Sequence, residues 1–236
     1  MLLIIPLTEK KIRNKKTGFI KWPGSIMKKT IKYILSVAVI AFVVYHSLYF
    51  KKLDTVKNAP AAHQFDAAAY ATIFYHQKLA AQLDKAADIT VLETLLQSNP
   101  GKAFADYSHA LGIGNTRYFL VKATGVVEAI GENDITIAIG ADSAKKEIKF
   151  TTEFVYGNAI RDASGLIDIN EFSSTADFNN VSAEINKIVR KEVLPPFRAS
   201  VKKGDSILLY AAMELNQAHL KPGIPELVPV ALKLLP

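Results

Sequence analysis

The feature that most constrains this chain is an apolar run at residues 33–50, which contains no formally charged side chain at neutral pH. Lysines bracket the run, with Lys32 just before it and Lys51 just after it. Eighteen residues are just enough for a helix to cross the hydrocarbon core of a membrane. The sequence therefore predicts a transmembrane anchor over residues 33–50, with tyrosines placed near its ends as interfacial aromatics often are.

The basic excess of the chain is confined to its N-terminal end. Residues 1–32 carry nine basic side chains and one acidic one, whereas residues 33–236 carry 20 basic and 21 acidic ones. Because lysine and arginine stay on the cytoplasmic side of a membrane, residues 1–32 are predicted to be a cytoplasmic tail. We expect a single-pass protein of the bacterial inner membrane with the bulk of the chain on the periplasmic side. A near-neutral folded part argues against a nucleic-acid partner.

Two other interpretations of the apolar run stay open: a buried core helix and a cleaved export signal. Charged residues on both flanks argue against a core helix. The nearest A-x-A pattern, at residues 59–61, lies well beyond the run, which argues against cleavage. Met27 followed by two lysines is itself a typical start of an export segment, so the natural start is either Met1 or Met27.

The chain contains no cysteine, which excludes disulfides, zinc-thiolate and iron-sulfur sites, thiol nucleophiles and a lipid-modified cysteine. Half of the residues are apolar and 22% are charged, as in a packed globular protein. A wholly disordered chain is therefore excluded.

Helical patterns begin after a polar linker predicted at residues 51–64. Residues 65–88 have apolar side chains at helical spacings among many alanines, with Asp66 as an acid in the first turn. A shorter helix is predicted over residues 89–97, ended by an Asn-Pro-Gly sequence, and another over residues 102–110. Residues 65–110 are therefore predicted to form a helical segment.

From about residue 117 the apolar period changes to two. Strands are predicted over residues 118–130, 134–140 and 146–157, joined as a meander by turn residues. A polar, irregular stretch from residue 158 then precedes an amphipathic helix at residues 179–194, which Pro195 and Pro196 are expected to end. Two last strands are predicted over residues 205–214 and 226–234.

Three strands, a helix and two strands are the element order of the OB-fold, a small and partly open β-barrel. The predicted fold class is α+β: an N-terminal transmembrane helix, a helical segment, and an OB-like β-barrel with an inserted helix over residues 111–236. Other small barrels stay open, because element order alone does not fix topology. Binding in such a fold is expected near the loop between the last two strands, residues 215–225.

No catalytic or metal-binding motif stands out. The histidines lack the spacings that would place two imidazoles on one metal, and the carboxylates between Asp162 and Asp177 lack the calcium-loop pattern. We therefore predict no enzyme activity, no cofactor and no metal, with a hydrolase that uses those carboxylates ranked last. The pair Arg161-Asp162 is the most distinctive polar feature, either a structural ion pair or a fork for a carboxylate or sugar hydroxyls.

Residues 157–194, GNAIRDASGLIDINEFSSTADFNNVSAEINKIVRKEVL, resemble the signature block of the domain of unknown function 2291 family, predicted periplasmic lipoproteins of bacteria. The resemblance extends over about residues 53–234. It marks Arg161, Asp162, Asn170 and Phe172 as candidate ligand-binding residues. It also implies genes that lie beside those of sugar ABC transporters, and hence an accessory role in uptake rather than catalysis.

The chain departs from the family in having no cysteine to carry a lipid, so the apolar run would replace the lipid as the anchor. We therefore expect a membrane-tethered periplasmic accessory or binding protein of unknown ligand. Its expected partners are the inner membrane and the permease or sugar-binding protein of a carbohydrate ABC transporter. The alternative is a stand-alone module that binds a small ligand or an envelope glycan.

Overall fold

The structure, a computed structural model, describes residues 24–47, 65–112, 114–140 and 145–236. The chain divides into two compact units, Met1–Ala62 and His63–Pro236. The linker predicted at residues 51–64 and most of the predicted cytoplasmic tail lie outside the described residues.

The first unit contains helix α1, Gly24–Ser47. Its segment Lys29–His46 has a mean hydropathy of 1.4, and none of it is buried. By length and composition this is the one candidate membrane span among the described residues. A helix of this kind near the N-terminus is equally what an export signal forms, so the anchor and the export signal both remain compatible with α1.

The second unit begins with a helix whose start is fixed by a side-chain cap. Helix α2, Ala67–Ile73, follows Asp66, whose carboxylate accepts a hydrogen bond from the N–H of Ala69 at 2.9 Å. The helix runs on through a π turn at Phe74–Leu79 and a 3-10 turn at Ala80–Lys85. The helix predicted here is present, but its hydrogen-bond register changes twice.

Two shorter helices follow, and both start at capping side chains. Asp88 accepts hydrogen bonds from the first N–H groups of α3, Ile89–Ser98. Asn99 does the same for α4, Pro100–Tyr107, where a proline in the first turn costs no hydrogen bond. The helices predicted at residues 89–97 and 102–110 are therefore confirmed, with shifts of a few residues at their ends.

The second unit contains a sheet of seven strands. The strands are β1 (Ala87–Asp88), β2 (Ser108–His109), β3 (Thr116–Ile130), β4 (Asp134–Ile139), β5 (Lys146–Thr151), β6 (Ser206–Asn216) and β7 (Val228–Leu234). The five long strands are antiparallel to their neighbours and lie in the order β5-β4-β3-β6-β7, while the short strands β1 and β2 both pair with β3. The predicted meander of the first three long strands is confirmed.

Strand β3 is the central strand of the sheet and pairs with different neighbours along its length. Residues 116–126 pair with β6, and residues from Val126 onward pair with β4. Among the described residues, the two edges of the sheet are joined by a parallel bridge between Phe150 and Leu227. The sheet is therefore curled but not closed, as in a partly open OB-fold barrel, and the predicted fold class is confirmed.

Helical segments fill the connection between β5 and β6. A short helix packs on β3 and β6, and a long one covers it from outside. These segments are α5 (Ala159–Ala163), a 3-10 turn (Ile169–Glu171), α6 (Thr175–Ile188), a π turn (Val189–Val193) and α7 (Leu194–Ser200).

The bounds predicted for the inserted helix, residues 179–194, are wrong at both ends. Ser174 caps α6 by accepting a hydrogen bond from the N–H of Asp177, so the helix starts within the stretch predicted to be irregular. Pro195 and Pro196 do not end the helical segment, because they lie in the first turn of α7, where a missing N–H is tolerated.

The third predicted strand, residues 146–157, is also too long. Strand β5 ends at Thr151, which is paired with Asp134, the first residue of β4. Beyond this point β4 offers no further partner, so residues 152–157 leave the sheet despite their β-forming side chains.

The unit has two hydrophobic cores, one on each face of the sheet. Alternate residues of β3 supply them: Phe119 and Val121 contribute to the core inside the curled sheet, whereas Leu120 contributes to the core under α2, α5 and α6. The inserted helices pack on one face of the sheet, and α3 packs against the core on the other face.

Candidate functional site

Arg161 and Asp162 lie side by side in α5, beneath α6. Their side chains are only 2% and 5% exposed, and Arg161 Nε lies 2.5 Å from Asp162 Oδ1. Arg161 also donates a hydrogen bond to the Phe178 carbonyl at 3.0 Å. The guanidinium group therefore has a carboxylate and a carbonyl as partners within the protein, which favours the structural ion pair over the ligand fork.

The same guanidinium lies over an aromatic ring. Arg161 Cζ is 3.4 Å from the ring centroid of Phe178, close enough for a cation-π contact. Burial is the strongest influence on the neighbouring carboxyl and raises the pKa of Asp162, while its hydrogen bond to Arg161 opposes that rise. The pair thus fastens α5 to the first turn of α6.

Phe172 extends this cluster towards α2. Its ring lies 5.3 Å from that of Phe178 and 5.4 Å from those of Tyr70 and Phe65. The Tyr70 hydroxyl donates to Glu171 at 3.0 Å, and burial together with this bond raises its pKa to about 12. Phe172 therefore shares a cluster with Arg161 and Asp162, but its contacts are those of a packing residue.

Asn170 stands apart from that cluster and is exposed. Its side-chain amide donates to Asp168 Oδ1 at 2.8 Å, and the same oxygen accepts from the Asn170 N–H. It lines a shallow depression of about 420 Å³ that meets a second one, of about 280 Å³, at Gly165 and Leu166. We call the two together the polar groove.

The polar groove carries side chains that can form hydrogen bonds. His109 lies against Gly165, and burial lowers the pKa of its imidazole. Polar side chains along the groove are Gln82, Lys85, Asp106, His109, Ser164, Asp168, Asn170 and Glu171. The groove could accept a hydroxyl-rich ligand along the protein surface.

A different cavity, of about 380 Å³, lies beside α3, and we call it the mouth pocket. One wall is α3, another is the end of β6, and the β6–β7 loop forms the third. Its lining residues are Glu93, Leu96, Gln97, Met213, Leu215, Leu220, Lys221, Pro222, Gly223, Ile224 and Pro225. Its volume is in the range of ordinary small-molecule sites.

The sequence predicts one of the walls of the mouth pocket, the β6–β7 loop. The loop at residues 215–225 was expected to be near a binding site, and it forms one side of the cavity. The sequence does not predict the α3 wall, since Leu96 both packs against the core and lines the pocket. The spacing of Glu93, Leu96 and Gln97 at i, i+3 and i+4 is the signal that marks a second, accessible face.

The carboxylates proposed for the hydrolase alternative all have partners within the protein, and Glu171 accepts a hydrogen bond from the Tyr70 hydroxyl. Asp162 pairs with Arg161, Asp168 caps the 3-10 turn, and Asp177 accepts a hydrogen bond from Ser174. Among the described residues, no group of three or more histidine, aspartate and glutamate side chains is placed to hold a metal ion.

Comparisons with known proteins agree with this fold. An OB-fold protein from Thermotoga maritima, known from a crystal structure, is 24% identical and has a TM-score of 0.64. The likeness covers 72% of this chain and 99% of that protein, and at this identity it shows the fold alone. No curated protein matches the chain.

A family described as predicted periplasmic lipoproteins, DUF2291, matches residues 38–233. The match starts within α1 and continues through the sheet to the last strand, so the resemblance found in the sequence is confirmed. Since it spans most of the molecule, the chain belongs to the DUF2291 family of predicted periplasmic lipoproteins.

Proposed function

We propose that this protein is a non-enzymatic binding or accessory protein of the periplasm, and that the mouth pocket is its binding site. The observation that carries the proposal is the position of the pocket under the β6–β7 loop, where OB-folds commonly bind their ligands. The pocket also joins an apolar interior to a few polar side chains, the usual composition of a binding site.

The proposal includes a single-pass anchor in the inner membrane. Helix α1 is long and apolar enough to span, and the lysine-rich residues before it favour a cytoplasmic N-terminus. A spanning helix holds a protein far more firmly than one acyl chain. It would therefore do the work of the lipid that this cysteine-free chain cannot carry.

The partner in this proposal is a carbohydrate ABC transporter, through its permease or its sugar-binding protein. Its support is the family membership and the accessory role in uptake that the resemblance implies. An anchored module on the outer side of the inner membrane would also lie on the same surface as such a permease.

Affinity capture of the full-length protein from solubilised membranes tests this proposal. We compare the wild type with Leu220→Asp, at the pocket rim and 37% exposed, and with Val91→Asp, on α3 outside the pocket lining and 58% exposed. We expect the wild type and Val91→Asp to retain a transporter permease or sugar-binding protein. The amount recovered with Leu220→Asp should be roughly tenfold lower, because a carboxylate at the contact must be desolvated.

Equal recovery of the transporter with both variants would move the contact away from the mouth pocket. Recovery of no transporter component with the wild type would contradict the accessory role. The second candidate, a stand-alone module for an envelope glycan, is favoured by the hydrogen-bonding side chains of the polar groove. Binding of a glycan that Asn170→Ala weakens, while Leu220→Asp leaves it unchanged, would support that candidate.

A further inference from the structure

We infer that the mouth pocket binds an aliphatic, negatively charged amphiphile of the class of a medium-chain fatty acid. Its hydrocarbon chain would lie between α3 and β6, with its carboxylate at Lys221. This inference rests on the proposed function only in taking the mouth pocket as a binding site, and it names the chemical class of the ligand.

The lining of the pocket is mostly hydrocarbon. Seven aliphatic or thioether side chains form it, namely Leu96, Met213, Leu215, Leu220, Pro222, Ile224 and Pro225. Among the described residues that line it there is no aromatic ring and no hydroxyl group. A sugar would lose hydrogen bonds to water here without recovering them, whereas an alkyl chain would bury apolar surface on both sides.

The charges at the rim favour an anionic head group. Glu93 forms an ion pair with Lys146, so its negative charge is already compensated. Lys221 has no carboxylate partner among the residues that the structure describes, and it projects from the exposed loop. The uncompensated charge of the pocket is therefore positive. A ligand carboxylate would neutralise it by accepting a charge-assisted hydrogen bond from Lys221.

The loop that carries Lys221 is restrained by its own sequence. Pro222 fixes one backbone angle, and Gly223 has a φ of +87°, which suits the bend that follows a proline. Pro225 restrains the return to β7. Because the loop has little conformational freedom to lose, ligand binding incurs a small entropic cost.

Photo-crosslinking tests the inference with the full-length protein in phosphatidylcholine nanodiscs. The probe is decanoate with a diazirine on its chain, and crosslinked peptides are mapped by mass spectrometry. We expect labels in α3 and in residues 213–225, about tenfold weaker in Lys221→Glu. The matched control Lys233→Glu reverses the charge of an exposed lysine outside the pocket and should leave labelling unchanged.

Competition defines the ligand class. Unlabelled decanoate should displace the probe, decyltrimethylammonium should do so at least tenfold more weakly, and maltose should have no effect. The ligand could come from the membrane, as a lipid, or from solution, as a free fatty acid. Nanodiscs that contain phosphatidylglycerol with a diazirine on its acyl chain distinguish these two sources. Labels at residues 213–225 from this lipid indicate a membrane lipid, and labels from decanoate alone indicate a free fatty acid.

Labels confined to α1, displacement by maltose, or equal labelling of Lys221→Glu and Lys233→Glu would each overturn the inference. These outcomes are separate from the capture experiment. Transporter capture that depends on Leu220 without any decanoate label in the pocket contradicts the amphiphile and leaves the proposed accessory function in place. Labelling without capture supports the amphiphile and contradicts the transporter association.

Discussion

Replacing Arg161 with alanine is expected to lower the free energy of unfolding by about 3 kcal/mol, because it leaves the buried carboxylate of Asp162 without its partner. The variant also removes the hydrogen bond to the Phe178 carbonyl and the contact with its ring. The expected loss is at the low end of the range for breaking a buried ion pair, since Asp162 can take up a proton.

Thermal unfolding followed by circular dichroism measures this effect, and we expect the midpoint to fall by about 6–12 °C. Arg190→Ala is the matched control: Arg190 also donates to a carbonyl, that of Val155, and lies over a ring, that of Tyr156, but it forms no ion pair with any residue that the structure describes. Its loss should cost about 1 kcal/mol. If the Arg161→Ala protein unfolds like the wild type but no longer binds its ligand, Arg161 and Asp162 form a ligand-binding fork and not a structural ion pair.

The stability deficit of Arg161→Ala should depend on pH. Arg161 lowers the pKa of Asp162, so its removal raises that pKa further above the unfolded value. A raised pKa in the folded state means that the folded state holds the proton more tightly than the unfolded state does. The resulting stabilisation is fully present below the unfolded pKa and is lost as the pH rises through the folded pKa. The deficit should therefore be smallest below about pH 4 and largest near neutrality.

Much of the fold follows from local patterns in the sequence. The alternation of residues 118–130 and the Asn-Pro-Gly sequence at residues 99–101 fix a strand and a helix boundary by backbone chemistry alone. The order of these elements is that of the OB-fold, but order alone leaves other small barrels open, and the pairing of the strands decides between them. The family resemblance lies in a block that supplies α5 and α6, which pack on the sheet, so it indicated the fold more clearly than the ligand.

Errors occurred where tertiary contacts decide the outcome. The residues after Thr151 have β-forming side chains, yet they leave the sheet because β4 has ended. Pro195 and Pro196 end helices in most contexts, but the π turn before them places them at a new helix start. The burial of Arg161 and the α3 wall of the mouth pocket depend on how distant segments pack, which no local pattern records.

The second large effect is expected at Gly125, where β3 passes between its two neighbours. Replacing this glycine with alanine should lower the free energy of unfolding by about 2–3 kcal/mol, because the added Cβ would lie 2.5 Å from the carbonyl oxygen of Ala138 and 3.1 Å from Ile139 Cγ2. The backbone cannot retreat, since Gly125 is paired with Ile207 of β6 on its other side.

Gly112→Ala is the matched control for this substitution. A Cβ at Gly112 meets no atom within 4 Å, and its backbone does not have a positive φ, so its unfolding free energy should stay within about 0.5 kcal/mol of the wild type. Urea denaturation of both variants gives the comparison. If Gly125→Ala were as stable as Gly112→Ala, β3 and β4 could separate without cost. The close approach of Gly125 to Ala138 would then not be what excludes a larger side chain from this position of β3.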